Sequence, residues 1–167
     1  EKIAGAIGKA LGVPNLKVAW RPVDGESRIA DVVARRIDAE CGTTTITLSR
    51  MERVDFSVPI FVDGGSALVR AGAALREVAD LRGKRVAVLP ATTTEAALKK
   101  SLAVHGATAS LVSVKDGAEG IAAVLAGRAD AYASDRMLLT QLKDANARGG
   151  ELALLTNDFS FEPYAIV

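Results

Sequence analysis

The chain has few of the residue types from which covalent cross-links and metal sites are built. It contains one cysteine, Cys41, and one histidine, His105, among 167 residues. A single cysteine forms no internal disulfide, and one cysteine with one histidine falls short of a cysteine-containing zinc site. We therefore expect no metal or other cofactor. Aromatic residues make up only 4%, so alanine, valine, leucine and isoleucine must fill the core.

Charge and hydropathy exclude further classes. The 21 basic and 20 acidic side chains give a net charge of +1 without blocks of one sign, so nothing indicates a nucleic-acid partner. No apolar run reaches the about 18 residues of a membrane span. A signal peptide is not visible either, but a mature exported protein would already have lost it. Hydrophobic residues make up 49%, enough for one domain or two small lobes.

Helical stripes and strand-like apolar runs alternate along the chain. Helices are predicted at 2–11, 26–37, near 74–81, and at 94–104, 116–126 and 135–146. Strands are predicted at 16–20, 37–41, 85–89, 109–114, 129–133 and 151–155. Alternation of this kind predicts an α/β fold with parallel-dominated sheets flanked by helices.

Two extended apolar segments interrupt the alternation. Residues 54–70 (VDFSVPIFVDGGSALVR) lead from one set of elements to the next, and residues 162–167 (EPYAIV) follow the second set. One crossing out and one crossing back would form a two-stranded hinge between two α/β lobes. Periodicity alone equally allows two edge strands of a single domain.

Three helix starts show a capping residue followed three positions later by Glu. These are Thr92 with Glu95, Asp116 with Glu119, and Ser49 with Glu52. The helix after Thr92 follows a buried strand directly, and ligands of parallel sheets bind at the carboxyl ends of strands. Its first turn, with the hydroxyl groups of Thr92 and Thr93, suits a carboxylate or phosphate. The alternative is ordinary helix capping.

The loop at 41–50 (CGTTTITLSR) also follows a predicted strand. It carries several hydroxyl side chains, among them Thr43 and Thr45, and ends in Arg50, whose planar fork fits a carboxylate. Asp135 follows the strand at 129–133, where a carboxylate can accept hydrogen bonds from an ammonium group. Taken singly, Arg50 could be a solvated surface residue, and Asp135 a first-turn residue favoured by the helix dipole. Together they complement a zwitterion.

The run IDAECGTTTITLSRMERVDFSVPIFVDGGSALV resembles the polar amino-acid-binding branch of bacterial extracellular solute-binding proteins, family 3. The similarity continues through DLRGKRVAVLPATTTEAAL, LAGRADAYASDRMLL and FEPYAIV, in the order and spacing of that family. ECGTTT and SRIADVVARRIDAE are most similar to the glutamate/aspartate-binding members.

The resemblance implies a function and roles for particular residues. It implies a monomeric periplasmic or otherwise extracytoplasmic protein, without enzymatic activity, that delivers an amino acid to the membrane permease of an ABC transporter. Arg50 would bind the α-carboxylate of the ligand and Thr45 its main-chain groups. Thr92 and Thr93 would also reach the carboxylate, and Asp135 would hold the α-ammonium.

The resemblance also implies a type II periplasmic-binding-protein fold with a two-stranded hinge. Residues 1–62 would form part of lobe 1, residues 63–160 lobe 2, and residues 161–167 the return hinge strand. Because residue 1 already lies in the first helix, and the chain stops just after the return crossing, we expect a fold truncated at both ends, with lobe 1 lacking its first strand.

The sequence departs from the family at Ala91, where glycine is usual, and at Gly117, where members that bind acidic ligands often have histidine. Two alternative functions stay open. A cyclohexadienyl dehydratase-like enzyme on the same fold would use Glu95 or Glu162 as its acid. The ligand-sensing domain of a signalling receptor would bind the same ligand.

Overall fold

A computed structural model describes residues 2–13 and 15–167. Residue 1, which the sequence places in the first helix, lies outside this range. The helices are α1 (Lys2–Ala10), α2 (Ser27–Val33), α3 (Leu48–Met51), α4 (Thr93–Val104), α5 (Gly117–Leu125) and α6 (Arg136–Ala145). The strands are β1 (Phe61–Asp63), β2 (Gly65–Arg70), β3 (Arg85–Val88), β4 (Ser110–Ser113), β5 (Ala131–Asp135), β6 (Leu152–Leu154) and β7 (Glu162–Tyr164). Short 3-10 turns cover Val78–Leu81 and Gly149–Glu151.

A five-stranded sheet in the order β4-β3-β5-β2-β6 forms the larger part of the fold. β3 pairs in parallel with both β4 and β5, and β2 pairs antiparallel with both β5 and β6. Four strands therefore run in one direction, and β2 alone runs in the other. Since α4, α5 and α6 connect the four parallel strands, the prediction of an α/β fold with a parallel-dominated sheet is confirmed.

Helices cover both faces of this sheet, because successive side chains of a strand point to opposite faces. Val86 and Val88 of β3 pack with Leu98 of α4 on one face. On the other face, Ala87 packs with Ile121 of α5 and with residues of α6. Alanine, valine, leucine and isoleucine side chains thus fill most of the core, as the low aromatic content predicts.

β1 and β7 form a separate antiparallel ladder, which we call the hinge ladder. Phe61 pairs with Tyr164, and their rings stack at 6.1 Å between centroids. The residues after β7 also bond to residues 40–46: Ala165 N–H donates to the carbonyl of Thr44 (3.1 Å), and Val167 exchanges two backbone bonds with Glu40. The final segment therefore joins parts of the chain that lie far apart in sequence. Of the predicted lobe boundaries, residue 62 lies within this ladder and residue 160 lies just before β7. The division into lobes itself stays a prediction.

At two of the three predicted helix starts, the structure has the predicted residue as the N-terminal cap. Thr92 Oγ1 accepts the N–H of Glu95 (3.2 Å), and Asp116 Oδ1 accepts the N–H of Glu119 (2.8 Å). At the third, the prediction that Ser49 is the cap is wrong. α3 begins at Leu48, and Thr47 Oγ1 accepts the N–H of Arg50 (3.2 Å), because the hydroxyl of Thr47 is the first in the loop to meet free helix N–H groups.

Three other predicted elements differ from the structure. Residues 16–20 form no strand, because a strand needs the backbone of a neighbour and none pairs with this described segment. Residues 37–41 are not a strand either, since only Glu40 finds a backbone partner there. The helix predicted near 74–81 is only the 3-10 turn Val78–Leu81. In the described part of the chain, no helix is both long and apolar enough to cross a bilayer.

Candidate functional site

A cavity opens where the carboxyl ends of β3 and β5 face the loop before α3 and the start of α2. Because β3 and β5 are parallel neighbours, the turns that follow them lie side by side. The residues that line this cavity are Gly25, Arg28, Thr43, Arg50, Leu89, Ala91, Thr92, Thr93, Thr94, Ala133, Ser134, Asp135 and Leu138. Five of the six predicted binding residues are among them: Thr43, Arg50, Thr92, Thr93 and Asp135.

Arg50 brings a positive charge to the cavity. The short helix α3, capped by Thr47, carries it, and its Nη1 donates to the carbonyl of Thr45 (2.7 Å). Burial and the neighbouring Arg28 lower the pKa of Arg50 below its ordinary value, with a smaller opposing effect from Glu162. None of the ion pairs among the described residues involves Arg50. Its guanidinium is therefore available to an anion that enters the cavity.

Arg28 is a second cation on the same wall, and the sequence analysis did not identify it. Its Nη1 donates to the carbonyl of Thr43 (3.1 Å) and to Thr44 Oγ1 (2.9 Å). The hydroxyl of Thr44 has a single proton, which it donates to Glu40 Oε2 at 2.6 Å, so it accepts from Arg28. The buried chain from Glu40 through Thr44 holds the guanidinium in place.

One signal in the sequence could have identified Arg28. It lies in the first turn of α2, where the positive end of the helix dipole disfavours a cation. An arginine at such a position calls for a compensating partner. Here the partners are a carbonyl and a hydroxyl, and no carboxylate forms an ion pair with it in the described part of the chain.

The start of α4 forms the opposite wall. Thr92 caps the helix and donates its own proton to the carbonyl of Leu89 (2.9 Å). The single proton of its hydroxyl is therefore used within the protein. The backbone N–H groups of Thr93 and Thr94 lie in the first turn, where a helix supplies no acceptor. Thr93 and Thr94 line the same cavity as Arg50, so the positive end of the helix dipole lies beside it.

Asp135 is the acid of the cavity. It ends β5 and accepts a hydrogen bond from the hydroxyl of Thr94 (3.0 Å). Burial raises the pKa of the Asp135 carboxyl above its ordinary value, and nearby Glu162 and Asp63 raise it further. Hydrogen bonds from Tyr164 and Thr94 offset part of that rise. The carboxylate has no ion-pair partner among the described residues.

Thr45 is the one predicted binding residue that does not line the cavity. Its buried hydroxyl donates to Glu162 Oε2 (2.6 Å), and its single proton is thereby used. Thr93 Oγ1, 3.3 Å away, must then be the donor in the contact between the two threonines. Thr45 orients Arg50 through its carbonyl, whereas a direct contact between its side chain and a ligand stays a prediction.

The cavity thus has two guanidinium groups on one side, the first turn of a helix on another, and one half-buried carboxylate. Such an arrangement suits a small molecule that carries at least one anionic group and one cationic group. In the described part of the chain, no group of three or more His, Cys, Asp or Glu side chains is arranged to hold a metal ion.

Comparison with known proteins identifies relatives of this fold and site. Residues 2–148 match the model of the family described as bacterial extracellular solute-binding proteins, family 3. A protein named L-glutamate/L-aspartate-binding protein from Pseudomonas aeruginosa is 37% identical over 138 residues, which are 83% of this chain and 46% of that protein. A protein named glutamine-binding protein from Geobacillus stearothermophilus is 34% identical over 164 residues, which are 97% of this chain and 59% of that protein. The chain spans about half the length of the curated relatives it matches.

Solved structures show the same architecture. An ancestral arginine-binding protein bound to arginine superposes with a TM-score of 0.82 at 31% identity, over 99% of this chain and 71% of that one. An ancestral amino-acid-binding protein, described as a precursor of cyclohexadienyl dehydratase, superposes with a TM-score of 0.78 at 27% identity, over 99% and 68%. The resemblance predicted from the sequence is confirmed, and the chain belongs to the bacterial extracellular solute-binding proteins of family 3.

Proposed function

We propose that this chain is the ligand-binding part of an extracytoplasmic solute-binding protein, which captures an amino acid between two lobes and delivers it to the permease of an ABC transporter. One observation carries the proposal. Arg50 and Asp135 line a single cavity, and neither forms an ion pair within the described residues. The names of the relatives, which include binding proteins for glutamate, aspartate and glutamine, support the same function.

The charges divide between the two ends of an α-amino acid. Arg50 and the first-turn N–H groups of Thr93 and Thr94 bind the α-carboxylate, and each charge-assisted bond contributes about 1.5–3 kcal/mol net. Asp135 accepts hydrogen bonds from the α-ammonium. Movement of the lobes about the hinge ladder closes the cavity over the ligand and excludes water, which strengthens both contacts.

Removal of either charge tests this function. Truncating one partner of a buried, hydrogen-bonded charge pair costs roughly 2–5 kcal/mol, so Arg50→Ala and Asp135→Ala each weaken binding by more than about tenfold. Isothermal titration calorimetry with a panel of amino acids measures the effect. Arg53→Ala is the matched control, because Arg53 is exposed, lies three residues away and does not line the cavity. Wild-type affinity in a folded Arg50 or Asp135 variant contradicts the proposal.

The presence of Arg28 in the cavity favours an amino acid with an acidic side chain as the ligand. The two guanidinium groups line the same cavity and repel each other, and the repulsion adds to the larger effect of burial in lowering the pKa of Arg50. No ion pair among the described residues neutralises either of them. A dicarboxylic amino acid supplies one anion for each. The relatives named for glutamate and aspartate, at 33–37% identity, are consistent with this choice.

The side-chain assignment has its own test. Arg28→Ala is expected to weaken glutamate binding by more than about tenfold, because one buried carboxylate loses its partner. Glutamine binding changes less, since its amide carries no charge. An equal loss of affinity for glutamate and for glutamine would mean that Arg28 does not contact the side chain of the ligand.

The dehydratase alternative is favoured by one solved relative, the precursor of cyclohexadienyl dehydratase. Its candidate acids are Glu95 and Glu162, and neither lines the cavity. Glu95 pairs with Lys99 (2.6 Å) and accepts the N–H of Ala91 (2.9 Å). Glu162 accepts hydroxyl protons from Thr45 (2.6 Å) and Ser160 (2.7 Å). Turnover of prephenate or arogenate by the purified protein would favour the enzyme.

A further inference from the structure

The helix that follows the cavity acid begins in an unusual way. Asp135 occupies the position immediately before α6, where an aspartate side chain normally accepts an N–H of the first turn. Its carboxylate accepts no hydrogen bond from α6. It turns instead toward α4 and accepts the hydroxyl proton of Thr94 (3.0 Å). The N-terminus of α6 must therefore obtain its cap from another residue.

Asp63, the last residue of hinge strand β1, supplies that cap. The backbone N–H of Met137 lies 3.1 Å from Asp63 Oδ2 and 3.4 Å from Oδ1. The N–H of Arg136 donates to the carbonyl of Gly64 (2.8 Å). The strand register explains the geometry: Gly65 pairs with Asp135, so the residues just before Gly65 lie opposite the first turn of α6.

Local contacts hold the Asp63 carboxylate in this position. Its Oδ1 accepts the N–H of Gly64 (2.8 Å), and the hydroxyl of Tyr164 lies 3.5 Å from Oδ2. The adjoining backbone is also closely packed. A Cβ added at Gly65 would lie 2.6 Å from Ser160 Oγ and 2.6 Å from the ring of Phe159. The strand junction therefore has no room for a side chain at Gly65, and the backbone next to Asp63 packs directly against residues 159–160.

We propose that Asp63 is a positioning residue, which caps α6 in place of Asp135 and so leaves the Asp135 carboxylate free to bind the ammonium group of the ligand. This inference rests on the proposed function. Three carboxylates lie near the start of α6, and each has a different partner. Asp158 pairs with the side chain of Arg136, Asp63 accepts the backbone N–H of Met137, and Asp135 lines the cavity.

Loss of the Asp63 side chain has a defined consequence. The first-turn N–H of α6 would lose its acceptor. Asp135 is already at the capping position and can replace it, whereas Asp158 is paired with the side chain of Arg136. A cap shifts an equilibrium by about fivefold. If Asp135 then spends about four fifths of its time as the cap, apparent affinity falls about fivefold, since only the uncapped fraction binds.

The test is a double-mutant cycle measured by calorimetry with glutamate. Asp63→Ala is expected to weaken binding about fivefold. Asp63→Asn is expected to restore most of the affinity, because an asparagine oxygen also accepts helix N–H groups. In the Asp135→Asn background the same two substitutions at Asp63 have no further effect, because the group through which Asp63 acts has been removed.

Asp80→Ala is the matched control. Asp80 Oδ2 accepts two backbone N–H groups, from Arg76 (2.7 Å) and Glu77 (2.9 Å), but it lies outside the cavity. Its loss is expected to lower the melting temperature while glutamate affinity stays at the wild-type value. This control shows whether a general loss of stability alone can lower glutamate affinity as Asp63→Ala is expected to do. Asp63→Ser, whose side chain stops one bond short of α6, serves as a second variant if Asp63→Ala does not fold.

The outcomes are distinct. Full affinity in the folded Asp63→Ala or Asp63→Ser variant overturns the inference. So does an unchanged effect of Asp63→Ala in the Asp135→Asn background, which would show that Asp63 acts through another group. If Asp135→Asn alone binds glutamate as tightly as the wild type, the proposed function fails as well, because Asp135 then does not hold the ammonium.

Discussion

Gly120, in the middle of α5, packs against the most deeply buried aromatic side chain of the described chain. A Cβ at this position would lie 2.5 Å from both Cδ2 and Cε2 of Tyr132, and 2.7 Å from its Cγ. Tyr132 is fully buried in β5, between α5 and the sheet, and its ring cannot swing into solvent. Replacement of Gly120 by alanine therefore sets two effects of opposite sign against each other.

The magnitudes decide the outcome. Alanine is favoured over glycine in a helix interior by about 0.8–1 kcal/mol. Forcing an extra methyl group into a well-packed core costs about 1–3 kcal/mol, and contact with three ring atoms places this site toward the upper end. We expect Gly120→Ala to lower the free energy of unfolding by about 1–2 kcal/mol, the difference between the two. Ligand affinity should fall too, because β5 also carries Asp135.

Urea denaturation measures the prediction, with Gly5→Ala in α1 as the control. Gly5 is exposed, and a Cβ there would meet nothing within 4 Å. Helix propensity alone should then stabilise that variant by about 0.5–1 kcal/mol. The double variant Gly120→Ala/Tyr132→Leu should recover stability relative to the sum of its single changes, since the smaller side chain relieves the clash. If Gly120→Ala raised stability as much as Gly5→Ala, the packing argument would be refuted.

Three further predictions concern the cavity. Because burial raises the pKa of Asp135 above its ordinary 3.8, and only the ionised form attracts an ammonium, affinity should fall as pH falls through that raised pKa. Below it the loss is about tenfold per pH unit. Calorimetry from about pH 4 to about pH 8 measures the profile, and an affinity that stays constant over this range would contradict the prediction. Thr44→Val should destabilise the fold by about 2–3 kcal/mol, since the buried Glu40 carboxylate loses its donor and Arg28 loses an acceptor; an unchanged denaturation midpoint would contradict this. Ala91, held at φ 59°, is in a left-handed conformation that costs about 1–2 kcal/mol for a residue with a Cβ. Its replacement by glycine should raise the melting temperature, and a lower one would count against strain there.

The sequence predicts the larger sheet well, because its signals are local. β3 is a short apolar run bounded by turns. The start of the helix after Thr92 is marked in the sequence by a capping residue and, three positions later, a glutamate. Such features depend on neighbours within a few residues. They also place the start of α4 and Asp135 at the same edge of a parallel sheet, which is why most of the predicted binding residues meet in one cavity.

Predictions fail where structure depends on distant partners. Residues 16–20 alternate like a strand but pair with no strand of the described chain, and Trp20 is 73% exposed. Glu40, in a segment that also reads as a strand, bonds instead to Val167 at the other end of the chain. Arg28 was not predicted for the same reason. Its place in the first turn of α2 is a local signal, but its partners lie in the distant loop at 43–44.

Residues 162–167 lie between residues 40–46 and 57–60 and bond to both, which affects the order in which the chain can fold during synthesis. Residues 65–154 hold all five strands of the large sheet in one uninterrupted stretch, so they can begin to fold as soon as they emerge from the ribosome. The Thr45 hydroxyl, by contrast, waits for Glu162, which lies 117 residues later. The cation-bearing half of the cavity therefore acquires its final shape only after residue 162 has been synthesised. Such long-range closure is a slow step in folding.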